Sequence, residues 1–274
     1  MISSTANSQV KQAAALGKKA KYRKETGLFV VEGPKMFDEL PLERIECLYV
    51  TENFLKAERQ KGAAERKDGS GSILEKLKKI RRVETVTDDV LKAMSDTQTP
   101  QGILALAKQY QYSLTDVMNG QGKAHLMILE TLQDPGNLGT ILRAGEGAGI
   151  TGVIMNEDTA DIYNPKVIRS TMGSVFRVPF VYVSDLKGTL GELKSAGVHL
   201  YAAHLKGVNS YDQEDYTGDI GFLIGNEAKG LSDEIAAMAD TYVKIPMAGK
   251  VESLNAAIAS SILMYETARQ RRNL

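Results

Sequence analysis

The sequence predicts an α/β protein in which a mostly parallel sheet follows a smaller α/β domain. In the second half, short apolar runs alternate with segments of helical period, a pattern typical of parallel sheets covered by helices. Charge separates the halves, because residues 1–110 carry five more basic than acidic residues and residues 111–274 carry five more acidic than basic ones. We therefore predict a domain at 1–110, a linker at 111–123 and a second domain at 124–274.

In the first half, residues 6–20 are expected to form a helix, since Val10, Ala13, Ala14 and Leu16 recur at helical spacing. Pro34 is expected to open another helix. The polar, Gly/Ser-rich residues 62–72 predict a mobile surface loop. Apolar runs predict strands at 28–31, 47–50, 83–86 and 103–107.

In the second half, the same criteria predict six strands and five helices. Ser232 and Ser253 are expected to cap the last two helices, because a serine hydroxyl can accept a first-turn N–H. The strands are predicted at 125–130, 152–155, 180–183, 198–203, 220–224 and 242–245. The helices are predicted at 138–147, 165–172, 186–196, 233–239 and 253–269.

Composition excludes several classes of protein. Hydrophobic residues make up 43% and charged residues 25%, the ordinary range of globular proteins, and no apolar run has the length of a membrane helix. The single cysteine, Cys47, excludes an internal disulfide and favours a cytoplasmic location; its apolar neighbours predict a buried thiol. The three histidines lack metal-ligand spacing, so no metal site is predicted.

Basic residues are concentrated at the start of the chain, where residues 1–24 contain six of them and no acid. Lys18, Lys19, Arg23 and Lys24 are candidate contacts to phosphate groups. A solvated helix face is the alternative interpretation.

One apparent nucleotide motif is set aside. Residues 147–152 (GAGITG) match G-x-G-x-x-G by letter, but they follow a helix and precede a strand. The dinucleotide-binding motif needs the opposite order, so that a helix N-terminus faces the pyrophosphate. The residues are therefore interpreted as a helix exit, which argues against a nucleotide-dependent oxidoreductase.

Three blocks carry the functional signal: residues 129–149 (LETLQDPGNLGTILRAGEGAG), 222–231 (FLIGNEAKGL) and 243–258 (VKIPMAGKVESLNAAI). Each joins an apolar run to a turn rich in Gly, Pro, Asn or Ser and then to a helical pattern. Such turns can meet at one edge of a sheet, where open α/β folds bind ligands. By pattern alone, Asn137 or Gly136 leads into a helix, Arg143 is an exposed arginine and Glu227 is a first-turn carboxylate.

Together and in this order, the blocks resemble those of the SpoU/TrmH branch of the SPOUT RNA methyltransferases. The resemblance implies a trefoil-knot domain, a homodimer formed through it, S-adenosylmethionine as cofactor and 2′-O-methylation of RNA ribose. The run 22–33 resembles the start of a ribosomal-protein-like RNA-binding domain, which favours ribosomal RNA as substrate. A tRNA methyltransferase and a catalytically silent RNA-binding protein of the same fold are the alternatives.

The resemblance also implies roles for individual residues. Arg143 is expected to orient a phosphate and the ribose hydroxyl rather than act as a base, because a guanidinium holds its proton strongly. The residues implied at the reacting centre are Asn137, Arg143, Glu227, Ser253 and Asn255. Those implied around the cofactor are Ile224, Gly225, Ile245, Met247 and Leu254.

Overall fold

The computed structural model describes residues 1–61, 73–118 and 122–272, which form two compact units. The first unit comprises Met1–Tyr110 together with Tyr163–Phe176. The second comprises Gln111–Ile162 and Arg177–Leu274. The loop predicted at 62–72 lies outside the described residues.

The elements follow one another as strands alternating with helices. The helices are α1 (Ser8–Lys18), α2 (Ala20–Thr26), α3 (Pro34–Glu39), α4 (Glu52–Gln60), α5 (Ile73–Lys78), α6 (Asp88–Met94), α7 (Leu114–Met118), α8 (Pro135–Ala148), α9 (Pro165–Thr171), α10 (Leu186–Ser195), α11 (Asp233–Ala236) and α12 (Ala256–Arg271). The strands are β1 (Leu28–Glu32), β2 (Ile45–Thr51), β3 (Val83–Val86), β4 (Ile103–Lys108), β5 (His125–Leu129), β6 (Gly152–Asn156), β7 (Phe180–Val183), β8 (His199–Ala203), β9 (Asn209–Ser210), β10 (Ile220–Ile224) and β11 (Thr241–Lys244). Short 3₁₀ turns occur at Leu42–Arg44, Ser174–Phe176 and Tyr211–Gln213.

The first unit contains a four-stranded sheet in the order β1-β4-β2-β3. Strand β4 runs antiparallel to β1 and β2, and β3 runs parallel to β2. All four strands were predicted, and Pro34 opens α3 as expected. The helix predicted over 6–20 is α1, which ends at Lys18 because Lys19 is extended (φ −120°, ψ 106°). The following helix α2 was not predicted.

The second unit contains seven strands in the order β7-β6-β5-β10-β8-β11-β9. Every pairing in this sheet is parallel, which confirms the predicted fold class. Strands β5 and β10 are buried along their whole length, as expected of a sheet covered on both faces. From β5 the chain continues to β6 and β7 on one side, whereas β8 to β11 lie on the other. The chain thus changes direction across the sheet between the adjacent strands β5 and β10, which makes their carboxyl ends a topological switch point.

Two features of the second unit differ from the prediction. The predicted linker, in which one short helical turn was expected, is packed into the second unit, since Val117 of α7 is fully buried in the core with Leu126 and Ile154. The two-residue strand β9 was not predicted, since it is too short to show a period of two. Ser232 caps α11 as expected, accepting from the N–H of Ile235 (3.2 Å).

Other expectations from the sequence are also settled by the fold. Gly149 ends α8 in the left-handed conformation (φ 75°), which confirms the helix-exit interpretation of the glycine motif. Cys47 is buried as predicted, and burial raises the pKa of its thiol. Within the described ranges, no helix is long and apolar enough to cross a membrane, and no three His, Cys, Asp or Glu side chains form a metal-binding group.

His125, at the start of β5, is a buried ring that stays neutral. It is 1% exposed, and its Nε2 has no hydrogen-bond partner among the described residues. Burial and the Arg271 cation lower the pKa of His125 to about 3, against an ordinary 6.5, although a hydrogen bond with the backbone of Gly149 opposes the shift. Between about pH 6.5 and pH 3, His125 is therefore protonated in the unfolded chain but neutral in the folded chain.

We expect this difference in protonation to destabilise the folded protein in mild acid. Between pH 7.5 and 5.0 the free energy of unfolding should fall by about 2 kcal/mol through His125 alone. Chemical unfolding at both pH values measures it. The difference should shrink in His125→Gln, which cannot titrate, and persist in His199→Gln, which removes an exposed ring. An unchanged pH dependence in His125→Gln would assign the acid sensitivity to other groups.

Candidate active site

Hydrogen bonds join the loops that follow β5 and β10 at the switch point. Leu129 and Ile224, the last residues of the two strands, are register partners. The Glu130 carboxylate accepts hydrogen bonds from the backbone N–H (2.8 Å) and hydroxyl (2.6 Å) of Ser232. Asn226 Nδ2 donates to the Thr131 carbonyl (2.9 Å). The first and second blocks are thereby held side by side.

Glu227 is the centre of this junction. Its carboxylate accepts from the backbone N–H of Gln133 (3.0 Å) and of Asp134 (2.9 Å), and from Asn137 Nδ2 (3.0 Å). Burial favours the neutral acid, but these hydrogen bonds outweigh it and place the pKa of Glu227 below its ordinary value. Glu227 is therefore an anion at neutral pH and a weak base, suited to holding its neighbours in place.

The third block joins the same row of side chains. Asn255 Nδ2 donates to Asn137 Oδ1 (2.9 Å), while Asn255 Oδ1 accepts from the N–H groups of Ala257 and Ile258. Asn255 is thus the N-cap of α12, so the predicted cap at Ser253 is wrong by two residues. We call Glu227, Asn137 and Asn255 the polar row; it connects all three blocks.

Asn137 lies inside the first turn of α8 rather than at its start. The helix begins at Pro135, and Asp134 caps it by accepting from the Asn137 N–H (2.9 Å). The prediction that Asn137 or Gly136 leads into the helix is therefore wrong by three or two residues, since Asp134 takes that position. The displacement matters, because it leaves the Asn137 amide free to bridge Glu227 and Asn255.

Two predicted site residues are not tied to the polar row by a direct hydrogen bond. Arg143 lies on α8 with an exposed side chain, and it forms no hydrogen bond or ion pair with the part of the chain that the structure describes. Ser253 is likewise exposed and makes no hydrogen bond to a described residue. Both are available to a ligand.

The residues implied around the cofactor lie at the end of β10 and in the segment that follows β11. Ile224 is the buried last residue of β10, whereas Ile245, Met247 and Leu254 are half-buried and lie in a stretch without helix or strand. The backbone of residues 245–254 makes no hydrogen bond to other described backbone groups. It can therefore offer N–H and C=O groups to a ligand.

Gly225 has a structural role of its own. A Cβ atom there would lie 2.1 Å from the carbonyl carbon of Gly230, because the backbone closes on itself at this point. Asn226 and Gly230 exchange backbone hydrogen bonds of 3.0 and 2.8 Å across the loop. Any larger residue at position 225 would open the loop that carries Glu227.

The sequence blocks gave no sign of Asn156, the last residue of β6. Its Oδ1 accepts from the Thr131 N–H (2.7 Å), and its Nδ2 donates to Thr131 Oγ1 (2.9 Å). Thr131 has a φ of 56°, a conformation that costs a β-branched residue about 1–3 kcal/mol. Asn156 and Asn226 together hold this strained residue and so shape the loop that leads to Asn137.

The predicted phosphate-binding residues lie at α1 and α2 in the first unit. Lys18, Lys19 and Lys24 are exposed, as an RNA contact requires. Arg23 differs from the prediction, since it is 3% exposed and donates to the carbonyl of Leu16 (2.6 Å) at the end of α1. Its guanidinium holds α2 against α1, and we exclude it from the candidate RNA surface.

Comparison with known proteins places these features in a family. Residues 124–265 match the SpoU rRNA Methylase family, and residues 7–105 match the MRM3-like substrate binding domain. The 23S rRNA (guanosine(2553)-2′-O)-methyltransferase RlmP of Bacillus subtilis is 28% identical over 264 residues, which cover 96% of this chain and 97% of that protein.

Two solved structures are similar over nearly the whole chain. The AdoMet-bound rRNA methyltransferase from Sinorhizobium meliloti has a TM-score of 0.81 and 31% identity, covering 98% of this chain and 97% of that one. The AdoMet complex of the SpoU methyltransferase AviRb from Streptomyces viridochromogenes has a TM-score of 0.82 and 26% identity, covering 97% and 98%. Since the family match spans more than half of the 274 residues, this chain belongs to the SpoU rRNA methylase family.

Proposed function

We propose that this protein transfers the methyl group of S-adenosylmethionine to the 2′-oxygen of a ribose in ribosomal RNA. The polar row carries the proposal, because it brings one residue from each of the three family blocks together at the switch point. Further support comes from the B. subtilis relative, named as a 23S rRNA 2′-O-methyltransferase, and from two similar structures that contain AdoMet. The single cysteine, Cys47, favours the cytoplasm as the location.

The residues around the third block fit S-adenosylmethionine. Ile245, Met247 and Leu254 expose part of their apolar surface, which suits an adenine ring, and the unpaired backbone of residues 245–254 suits its polar edge. When bound, the cofactor supplies an electrophilic methyl group on a sulfonium whose leaving thioether needs no proton.

The remaining task of the protein is to align and activate a weak nucleophile, the ribose hydroxyl. The exposed Arg143 cation is suited to hold an RNA phosphate and to orient that hydroxyl; a role as the base is our second choice. Glu227, already accepting three hydrogen bonds, positions Asn137 and through it Asn255. The exposed Ser253 hydroxyl completes the set.

Two measurements test this function. Calorimetry should show binding of S-adenosylhomocysteine and none of NAD. Tritium from labelled S-adenosylmethionine should enter transcribed ribosomal RNA, and mapping should place it on a ribose 2′-oxygen. Transfer to tRNA alone would favour the alternative substrate, and cofactor binding without transfer to any RNA would favour a silent RNA-binding protein.

We further propose that residues 1–110 form an RNA-binding domain and residues 124–274 a trefoil-knot methyltransferase domain. Residues 111–123 connect them, and α7 within this segment packs in the second unit. Replacing Lys18, Lys19 and Lys24 with Gln should then weaken RNA binding and leave cofactor affinity unchanged. Three lost phosphate contacts should reduce the log–log salt slope by about 2.1 to 2.7. The matched control replaces the exposed lysines Lys56, Lys78 and Lys92, which lie elsewhere in the first unit. If the two triple variants had equal salt slopes for RNA binding, the RNA would have to contact a different surface of the protein.

A homodimer through the second unit is also proposed. Ile258 and Tyr265 are each 53% exposed and lie seven residues apart, two turns along one face of α12. Light scattering should show a dimer that the double variant Ile258→Glu/Tyr265→Glu converts to a monomer. Arg272 is exposed at the end of the same helix, so the control variant Arg272→Glu should leave the mass of the dimer unchanged. A double variant that keeps the wild-type mass would exclude this face.

A further inference from the structure

A cavity of about 270 Å³ lies in the first unit, between the end of β1 and the stretch from Ser95 to Gln101. Its volume is just below the range of drug-sized ligand sites, so it suits a smaller molecule. Three apolar residues that are at most 2% exposed form part of its wall: Leu91, Ile103 and Leu104. Its charged lining residues are Glu32 and Arg169.

Arg169 has an unused hydrogen-bond donor. Its Nη2 donates to Asp96 Oδ2 (2.8 Å). Its Nη1 is shielded from solvent and has no hydrogen-bond partner among the described residues. Buried polar groups are nearly always satisfied, so an unpaired nitrogen on a cation indicates a missing partner.

Glu32 has spare acceptor capacity on the other side. Its carboxylate accepts from the Asp96 N–H (2.8 Å), from Thr97 Oγ1 (3.1 Å) and from the Ser95 hydroxyl. A carboxylate offers about four acceptor positions, so one is still available. The cavity thus combines apolar walls with an unused donor on Arg169 and an unused acceptor position on Glu32.

The charge around the cavity selects against an anion. The carboxylates of Glu32 and Asp96 outnumber the single Arg169 cation, so a phosphate would meet net repulsion. A neutral, flat molecule that carries both a hydrogen-bond acceptor and a donor fits better. RNA presents such groups when a base is unstacked from a loop, which is how single-stranded RNA is read in sequence-specific complexes.

We propose that this cavity binds one unstacked nucleobase of the RNA substrate. The base packs on the apolar wall, accepts from Arg169 after a small rotation of the guanidinium, and donates to Glu32. The proposal rests on the proposed function, since that is what makes RNA the ligand. It gives the first unit a means of reading sequence, which phosphate contacts by lysines do not provide.

Saturation-transfer NMR on the full chain tests the cavity directly. The probes are adenosine, guanosine, cytidine and uridine, with inorganic phosphate as a separate competitor. Saturating S-adenosylhomocysteine keeps nucleosides out of the cofactor site. We expect base-proton signals for at least one nucleoside and no competition by phosphate. Absence of signals for all four nucleosides, or displacement by phosphate, would overturn the proposal.

Paired variants separate recognition from a structural role. Thr99 lines the cavity and has an exposed side chain, so Thr99→Trp should fill the cavity and abolish nucleoside binding. Gln98 is also exposed but does not line the cavity, so the control variant Gln98→Trp should bind nucleosides normally. Arg169→Gln should weaken binding about tenfold, whereas Asp96→Asn, which breaks the ion pair but keeps the guanidinium, should weaken it less. Equal losses of nucleoside affinity in Arg169→Gln and Asp96→Asn would show that Arg169 acts only through its ion pair with Asp96, and they would overturn its role in binding the base.

The same variants are then assayed with ribosomal RNA. Thr99→Trp and Arg169→Gln should raise KM for RNA about tenfold and leave kcat and S-adenosylhomocysteine affinity within a few-fold. Unchanged KM in both would contradict an RNA base as the occupant. Nucleoside binding in a wild-type protein without methyl transfer would support the cavity and contradict the proposed methyltransferase, so the two failures are distinguishable.

Discussion

Replacing Arg143 with Ala is expected to reduce methyl transfer by about a thousandfold while changing S-adenosylhomocysteine affinity by no more than a few-fold. The magnitude follows from the loss of a charged group that acts on the reacting centre. Cofactor affinity should survive, because the second and third blocks hold the residues implied around the adenosine. The fold should survive as well, since the side chain is exposed and makes no hydrogen bond or ion pair within the described residues.

Single-turnover kinetics with saturating cofactor measure the chemical step, and calorimetry measures the affinity. Arg143→Lys keeps the charge but not the planar fork, so partial recovery would indicate a phosphate contact rather than a bidentate geometry. Arg272→Ala removes an exposed arginine from the end of α12 and should have little effect. A folded Arg143→Ala protein with substantial turnover would remove Arg143 from the mechanism.

The second large effect is expected at Glu227. Glu227→Leu removes the acceptor shared by the Gln133 and Asp134 N–H groups and by the Asn137 amide. With three donors unpaired, the loops after β5 and β10 should lose their alignment, and displacements of about 1 Å can cost about a hundredfold in rate. We expect kcat to fall by about that factor and cofactor affinity to weaken in parallel, because Gly225 lies in the same loop.

Glu227→Gln should be intermediate, since its amide oxygen still accepts while its NH₂ group faces a donor. Glu234→Gln is the matched control, because it removes an exposed carboxylate seven residues away in the first turn of α11. The lowered pKa of Glu227 also implies that the activity of the wild type should not titrate with this group near neutral pH. A rate that depends on an acidic group near pH 7 and loses that dependence in Glu227→Gln would make Glu227 a base after all.

Much of this arrangement follows from local patterns in the sequence. Every strand except the two-residue β9 was expected within a residue or two, because each apolar run is bounded by turn residues. Asn137, Glu227 and Asn255 were grouped through the family resemblance, and the structure brings them into one hydrogen-bonded row. Whether they, Arg143 and Ser253 serve catalysis is still a prediction.

Errors occurred where a local pattern allowed two outcomes. Ser253 and Asn255 are both good helix caps, and the choice fell to Asn255, whose Nδ2 also reaches Asn137. Arg23 was grouped with neighbouring lysines by charge, yet it is buried, and its guanidinium donates hydrogen bonds to carbonyls at the end of α1. Neither outcome follows from residue type, since each depends on a partner distant in the chain or on the packing of a second helix.

Local patterns were sufficient to predict the alternation of strands and helices, the parallel sheet class and the three blocks with their residue types. Three other features depend on tertiary packing: β5 and β10 are neighbours although 90 residues separate them, Asn156 supports the strained Thr131, and Arg169 belongs to the same unit as Glu32. The two groups of features differ in the range of the interactions that produce them. Hydrophobic period and turn chemistry act over a few residues, whereas strand order and the pairing of buried polar groups are decided by packing summed over the whole chain.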